Sequence, residues 1–209
     1  MMNIAVLVSG GGTNLQALID AQKNGEIKNG RITCVISSKD GVYALERAKK
    51  NDIKTRVISR AEYTDVKSYT KAVTDALLEE KADIVVYAGF MTILDEQIVK
   101  AFPLKMMNVH PALIPSFCGK GYYGLRVHEA VLASGVKVTG ATVHFVTEEC
   151  DGGPIILQKC TEVKNGDTPE ILQKRVMEQC EWKILPQAVS LFCDGRIKVN
   201  GKTTEIIEV

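Results

Sequence analysis

The sequence predicts an open, doubly wound α/β sheet, mostly parallel, with an antiparallel edge. Two observations carry that prediction. Short apolar runs alternate with helical patterns about five times over residues 1–110, at intervals of roughly 25 residues. The runs are continuously apolar instead of alternating with polar residues, as in Ile4–Val8 (IAVLV) and the IVVY of Asp83–Tyr87, which suits strands covered on both faces.

Taken in order, Ile4–Val8 is the first strand. SGGGTN (Ser9–Asn14) follows, and Leu15, Leu18 and Ile19 then recur at helical spacing. Arg31–Ile36 reads as a strand, Gly41–Asn51 as a helix, Thr55–Ile58 as a short strand and Tyr63–Lys81 as a long amphipathic helix. Asp83–Tyr87 is the fourth strand, followed by a turn at Gly89, a short helix near Asp95–Ala101 and a fifth strand at Met106–Val109. Beyond the proline loop the pattern changes. Leu125–Ala133 is helical, and Lys137–Thr147 and Pro154–Glu162 read as two antiparallel strands at the far edge. Asp167 or Thr168 caps a helix with Pro169 in its first turn, running to about Phe192 with Pro186 as the place for a kink. The tail, GRIKVNGKTTEIIEV, reads as a small hairpin. No repeat or linker interrupts the chain, so a single domain over 1–209 is expected.

Composition narrows the function classes. With 26 basic and 25 acidic residues the net charge is +1, which argues against a general nucleic-acid or anionic-membrane binder and for small-molecule partners. The six cysteines form no C-x-x-C pair, which disfavours a zinc ribbon or a thioredoxin-type site, and they are expected to be reduced thiols of a cytoplasmic protein. The first apolar run is too short for a signal segment, and no run approaches the roughly 20 apolar residues of a membrane span.

Three stretches have the residue types for chemistry. SGGGTN lets backbone approach an anion at a helix N-terminus, where N–H groups are free and the dipole is positive. It lacks the third glycine of a dinucleotide fingerprint, since Leu15 stands there, and lacks the G-K-[ST] of a Walker loop; a monophosphate is the ligand class it suits. A plain tight turn is the competing reading. In NVHP, Asn108 and His110 are two apart at a strand end, so both point to one side. An amide can stabilise a developing oxyanion and an imidazole can move a proton near neutral pH. A histidine bonded only to the next loop is the alternative. In EECDGGP, Asp151 is either an Asx-turn residue or the carboxylate facing His110, where it would raise the imidazole pKa. The three histidines are far apart and no H-E-x-x-H occurs, so no metal is expected. His144, alternating along a strand, reads as a core or supporting residue, and His128, on a helix, as surface.

The stretches VLVSGGGTNLQALID, DIVVYAGFMTIL, MNVHPALIPSF, TGATVHFVTEECDGGPIILQ and EWKILP occur together and in order. In this the chain resembles the folate-dependent formyltransferases, and among them the branch that formylates glycinamide ribonucleotide in purine biosynthesis. The resemblance covers nearly the whole chain and implies a Rossmann-like sheet and 10-formyltetrahydrofolate as co-substrate. It also implies Asn108, His110 and Asp151 as the catalytic trio and Gly11, Gly12, Thr13 and Asn14 as the phosphate loop. Glu181 would bind the substrate amine; the count from Pro186 gives Glu181, the count from Arg175 is one residue off, and Glu178 is the competitor. Met91, Thr92, Ile93 and Leu94, with Asn108 and the loop around 146–151, would line the folate pocket. Thr92 stands where the family often has arginine, leaving Lys67 or Arg60 as candidate cations for the folate tail, and the segment SFCGKGYYGLRVHEA is longer and more aromatic than in many relatives. A 10-formyltetrahydrofolate hydrolase, a methionyl-tRNA formyltransferase and a non-enzymatic nucleotide-binding module are the alternatives.

Overall fold

The structure is a computed structural model and describes residues 1–208. In chain order its strands and helices are β1 (Met2–Val8), α1 (Thr13–Lys23), β2 (Gly30–Ser37), α2 (Tyr43–Lys49), β3 (Lys54–Val57), α3 (Val66–Glu79), β4 (Ile84–Tyr87), α4 (Gln97–Ala101), β5 (Met106–His110), α5 (Leu125–Ser134), β6 (Val138–Phe145), β7 (Ile155–Glu162), α6 (Pro169–Val176), α7 (Trp182–Cys193), β8 (Ile197–Asn200) and β9 (Thr203–Ile206). A seven-stranded sheet has the order β3-β2-β1-β4-β5-β6-β7. Its first five strands pair in parallel, whereas β5–β6 and β6–β7 are antiparallel. The expected doubly wound sheet with an antiparallel edge is what forms, and β8 and β9 make the expected separate hairpin.

The continuous apolar strands are explained by layers on both faces. Along β1, Ile4, Val6 and Val8 join the cluster that contains Leu15, Leu18 and Ile19 of α1 and Ile184, Leu185 and Val189 of α7. Ala5 and Leu7 point the other way, against Tyr69, Val73, Ala76 and Leu77 of α3 and Ile98 of α4. Each of these larger buried aliphatic side chains stabilises the fold by roughly 1.5–3 kcal/mol. The third helix starts where the Asp65 carboxylate accepts the Ser68 N–H at 2.8 Å, and its buried residues recur at i, i+4, i+7 and i+8.

The late helix starts as expected: of the two candidates Thr168 is the cap, accepting the Ile171 N–H at 3.3 Å with Pro169 in the first turn. Asp167 instead takes both nitrogens of Arg175, at 2.5 and 2.6 Å. The irregularity lies upstream of Pro186, where Met177–Glu181 form a π turn between α6 and α7. A π turn adds a residue to one turn of helix. This is why counting forward from Arg175 and backward from Pro186 gives different answers for the glutamate.

Candidate active site

The strand order reverses between β1 and β4, because the chain winds outward through β2 and β3 on one side and through β5 on the other. Ligands of open α/β sheets bind in the crevice at such a point, outside the carboxyl ends of the strands. The glycine loop leaves β1 there. Gly12 has φ of 71°, and a Cβ on it would lie 2.7 Å from that of Ala44, so neither conformation nor space admits a side chain. No side chain caps α1, which leaves the first-turn N–H groups open to an anion. Arg47 borders the loop: its Nε–H donates to the Gly11 carbonyl at 2.9 Å and its Nη1–H to Gln16 Oε1 at 2.9 Å. Ser9 Oγ accepts the Met91 N–H at 3.0 Å and lies 2.7 Å from Ser38 Oγ, tying the end of β1 to the loop after β4. A groove of about 560 Å³ between α1 and α7 opens beside Thr13 and Arg47; its lining includes none of Asn108, His110 and Asp151.

Asn108 and His110 project from the end of β5, and antiparallel pairing sets His144 of β6 directly opposite Asn108. His144 Nδ1–H donates to the Phe145 carbonyl at 2.9 Å, and its Nε2 lies 3.3 Å from Asn108 Nδ2. His110 Nε2–H donates to the Phe117 carbonyl at 2.8 Å, which leaves Nδ1 as the exchangeable nitrogen. That nitrogen lies 3.6 Å from Asp151 Oδ2, while Asp151 Oδ1 lies 3.5 Å from His144 Nε2. Oδ2 also accepts the Gly119 N–H at 2.9 Å. Asp151 has φ of 54°, a left-handed conformation that Asp tolerates better than most residues. The second glycine after it is sterically required: a Cβ on Gly153 would lie 1.8 Å from the Phe145 carbonyl oxygen.

Electrostatics adjust one expectation. Burial tends to raise the Asp151 pKa, yet the His144 bond, the His110 charge and the Gly119 N–H outweigh it and hold the carboxyl at about 2. His110 goes down, not up. Burial is the larger effect and pulls its pKa below the usual value, against the Asp151 charge and the Phe117 carbonyl. The imidazole therefore rests neutral near pH 7, and Asp151 is the group poised to stabilise it once it gains a proton.

The remaining expected residues are distributed as follows. Glu181 is 6 % exposed and its Oε2 accepts from Asn14 Nδ2 at 2.7 Å, whereas Glu178 is on the surface within 3.8 Å of Lys174 Nζ. Thr13 Oγ1 faces the Met177 sulfur at 3.9 Å. Met91 and Ile93 are exposed, at 52 % and 71 %, Thr92 and Leu94 are half-buried, and Phe90 packs edge-on against Tyr87 with ring centroids 5.6 Å apart. Lys67 is exposed in α3, one turn before Thr70, whose hydroxyl accepts the Asp95 N–H at 2.8 Å. Arg60 lies with its guanidinium 5.7 Å from the Tyr69 ring centroid. His128 is not on the surface. It is fully buried with Val127 and Val131 on the inner stripe of α5, and burial, with a smaller push from His110, takes its pKa down to about 4. Arg47 was missed as a member of the site, whereas His144 takes the supporting position that its strand suggested. Pairing TVHFV against MNVH in antiparallel register was the available signal for His144; Arg47 had none.

The formyl transferase family profile matches residues 2–189. The chain belongs to the formyl transferase family. Among its relatives, phosphoribosylglycinamide formyltransferase of Escherichia coli (strain K12) is 40 % identical over 199 residues, covering 95 % of this chain and 91 % of that protein. The trifunctional purine biosynthetic protein adenosine-3 of Bos taurus is 44 % identical over 207 residues, 98 % of this chain, but this chain spans only 20 % of its length. A crystal structure of glycinamide ribonucleotide transformylase 1 from Symbiobacterium toebii superposes with a TM-score of 0.93 at 39 % identity, covering 100 % of this chain and 95 % of that one. Family membership accords with the mostly parallel sheet and its antiparallel edge. Among the described residues no helix is long and apolar enough to cross a membrane.

Proposed function

We propose that this formyl transferase carries the formyl group of 10-formyltetrahydrofolate to the amine of glycinamide ribonucleotide, with residues 1–209 acting as one domain. The observation that carries the reading is the convergence of Asn108, His110 and Asp151, with His144 between them, at the end of β5. Acyl transfer to an amine needs an oxyanion stabiliser and a proton acceptor in one place, and this group supplies both. The Asn108 amide points at the position where the formyl oxygen gains charge. His110 Nδ1 takes up the proton that the amine sheds, and Asp151 stabilises the imidazolium until the proton passes to nitrogen 10 of the departing folate. Residues Gly11–Asn14 hold the ribonucleotide phosphate, and Glu181 receives its amine end.

The exposed apolar side chains of Met91 and Ile93 suit one face of a flat ring, in line with a pterin seated beside loop 91–94. No metal and no covalent enzyme intermediate are required by this chemistry. Small molecules are the proposed partners, in a cytoplasmic setting, with neither nucleic acid nor membrane engaged.

One assay tests the reading. The protein is given 10-formyltetrahydrofolate with and without glycinamide ribonucleotide, and the formylated product and free tetrahydrofolate are quantified. Transfer that depends on the ribonucleotide is the expected result. Release of formate without an acceptor would establish the hydrolase instead, and absence of both activities would leave only a binding module.

A further inference from the structure

No cysteine belongs to the group at the end of β5, yet two of the six stand on the loops that hold its histidine. Cys34, Cys180 and Cys193 are buried, and Cys160 is exposed on the outer strand β7. Cys118 follows Phe117, whose carbonyl accepts the His110 Nε2–H at 2.8 Å. Cys150 precedes Asp151, whose Oδ2 lies 3.6 Å from His110 Nδ1. The two loops are joined at this point, because the Gly119 N–H donates to Asp151 Oδ2 at 2.9 Å. One hydrogen bond thus spans segments 32 residues apart, with a cysteine next in sequence to each of its ends.

The two thiols share surroundings as well as loops. Burial, and after it the Asp151 charge, pushes both upward, and Cys118 itself acts on Cys150. The pair therefore rests protonated and reduced. Cys118 is half-buried, with its Sγ–H donating to the Pro115 carbonyl at 3.2 Å, whereas Cys150 is exposed, so an oxidant meets Cys150 first. A disulfide needs the two Cα atoms within about 7 Å of each other. Gly119 and Gly121 stand in open space with φ of 87° and 98°, which gives the Cys118 loop the freedom to reach that geometry.

We propose that Cys118 and Cys150 form a redox modification site: a peroxide joins them in a disulfide that disables His110, and a thiol reductant restores it. The Cys150 thiolate attacks one oxygen of hydrogen peroxide. The O–O bond breaks, hydroxide leaves and takes up the thiol proton as water, and Cys150 holds a sulfenic acid. The Cys118 thiolate then attacks that sulfur; the S–O bond breaks and a second water forms with the Cys118 proton. Two thiols and one peroxide become one disulfide and two waters, the sulfurs losing two electrons and the peroxide gaining two. The new bond draws the Phe117 and Asp151 loops together. The carbonyl on Nε2 and the carboxylate facing Nδ1 then leave the places in which they hold the imidazole. The disulfide goes beyond the proposed function; only its effect on turnover rests on that reading.

The test treats the reduced protein with hydrogen peroxide and removes the excess. Peptides from a digest without reductant are weighed, the His110 ring is followed by proton NMR, and formyl transfer to glycinamide ribonucleotide is assayed on the same samples. A peptide pair linking Cys118 to Cys150, lighter by two hydrogens, is expected, together with a shifted His110 resonance. Turnover should be at least about tenfold lower, as displaced active-site groups demand. Dithiothreitol should reverse all three changes. Cys118→Ser and Cys150→Ser, each compared with its own untreated form, should form no link and show no loss of turnover that dithiothreitol reverses, while Cys160→Ser should respond as wild type does. Peroxide treatment that oxidises Cys150 without producing the link overturns the site. So does a link that leaves the His110 resonance unmoved, or a reversible loss that persists in both serine variants. A reduced wild type that transfers no formyl group overturns the proposed function alone, and the linked peptide and the His110 resonance then decide this inference.

Discussion

Replacing Asp151 by Asn removes one negative charge while keeping the shape the loops require. The amide oxygen can still accept the Gly119 N–H, now bonded at 2.9 Å, and the amide nitrogen can donate to His144 Nε2. What changes is the field at His110. A carboxylate oxygen 3.6 Å from Nδ1 raises the imidazole pKa, and here that rise only partly offsets burial. Removing it should lower the His110 pKa further and leave the imidazolium less stable. Turnover should then fall about tenfold to a thousandfold, because the protonated imidazole forms on the reaction path. The linkage sign is fixed as well. Asp151 titrates at about 2 against an ordinary 3.8, so its ionised form adds about 2 kcal/mol of stability above pH 4, lost as the pH falls through 2. The variant should be less stable than wild type by about that amount at pH 7 and nearly equal to it at pH 2. The assay is a proton NMR titration of the His110 ring beside a kcat profile for formyl transfer. A His110 that titrates in Asp151→Asn as it does in wild type would refute the electrostatic role and leave Asp151 as a turn residue.

His110→Ala should cost about 10²–10⁴ in kcat with a far-ultraviolet spectrum like that of the wild type, and turnover near normal would remove His110 from the chemistry. Gly12→Ala puts a methyl group 2.7 Å from Ala44 Cβ in a left-handed backbone, so urea denaturation should show a loss of about 1–3 kcal/mol together with weaker ribonucleotide binding. Gly153→Ala would place Cβ 1.8 Å from the Phe145 carbonyl oxygen, and the loop carrying Asp151 must move; kcat should drop at least about tenfold, while KM for the ribonucleotide changes little.

The sheet was legible because its strands advertise burial on both faces. Ile4–Val8 and Asp83–Tyr87 have no polar alternation, and only central strands of a covered sheet tolerate that. The site was half legible. Asn108, His110 and Asp151 stand at a strand end and in a turn, where residue type and position already suggest chemistry. His144 was harder to see because its role comes from its partner across the sheet, not from its own strand. His128 was misread because a histidine on a helix was taken as polar, while its place beside Val127 puts it on the inner stripe. The upward pKa expected for His110 failed for a related reason: a facing carboxylate can be inferred from CDGG, but the depth of burial that outweighs it depends on the folded loop at Phe117. The π turn left its trace only as two counts that disagreed.

The pairing of Asn108 with His144 has a consequence for how the chain folds. Strands paired from segments distant along the chain close slowly, and a slip of one residue turns every side chain to the opposite face. In such a slipped chain the β6 backbone ladder and much of its apolar surface would survive, yet the imidazole would leave Asp151 and Asn108 without their shared partner. On the proposed reading, catalysis acts as a proofreader of β-sheet alignment: only molecules that have zipped β5 to β6 in the native register would contribute to turnover. Specific activity of a refolded preparation accordingly reports the fraction of correctly aligned chains, a quantity that secondary-structure content alone does not resolve.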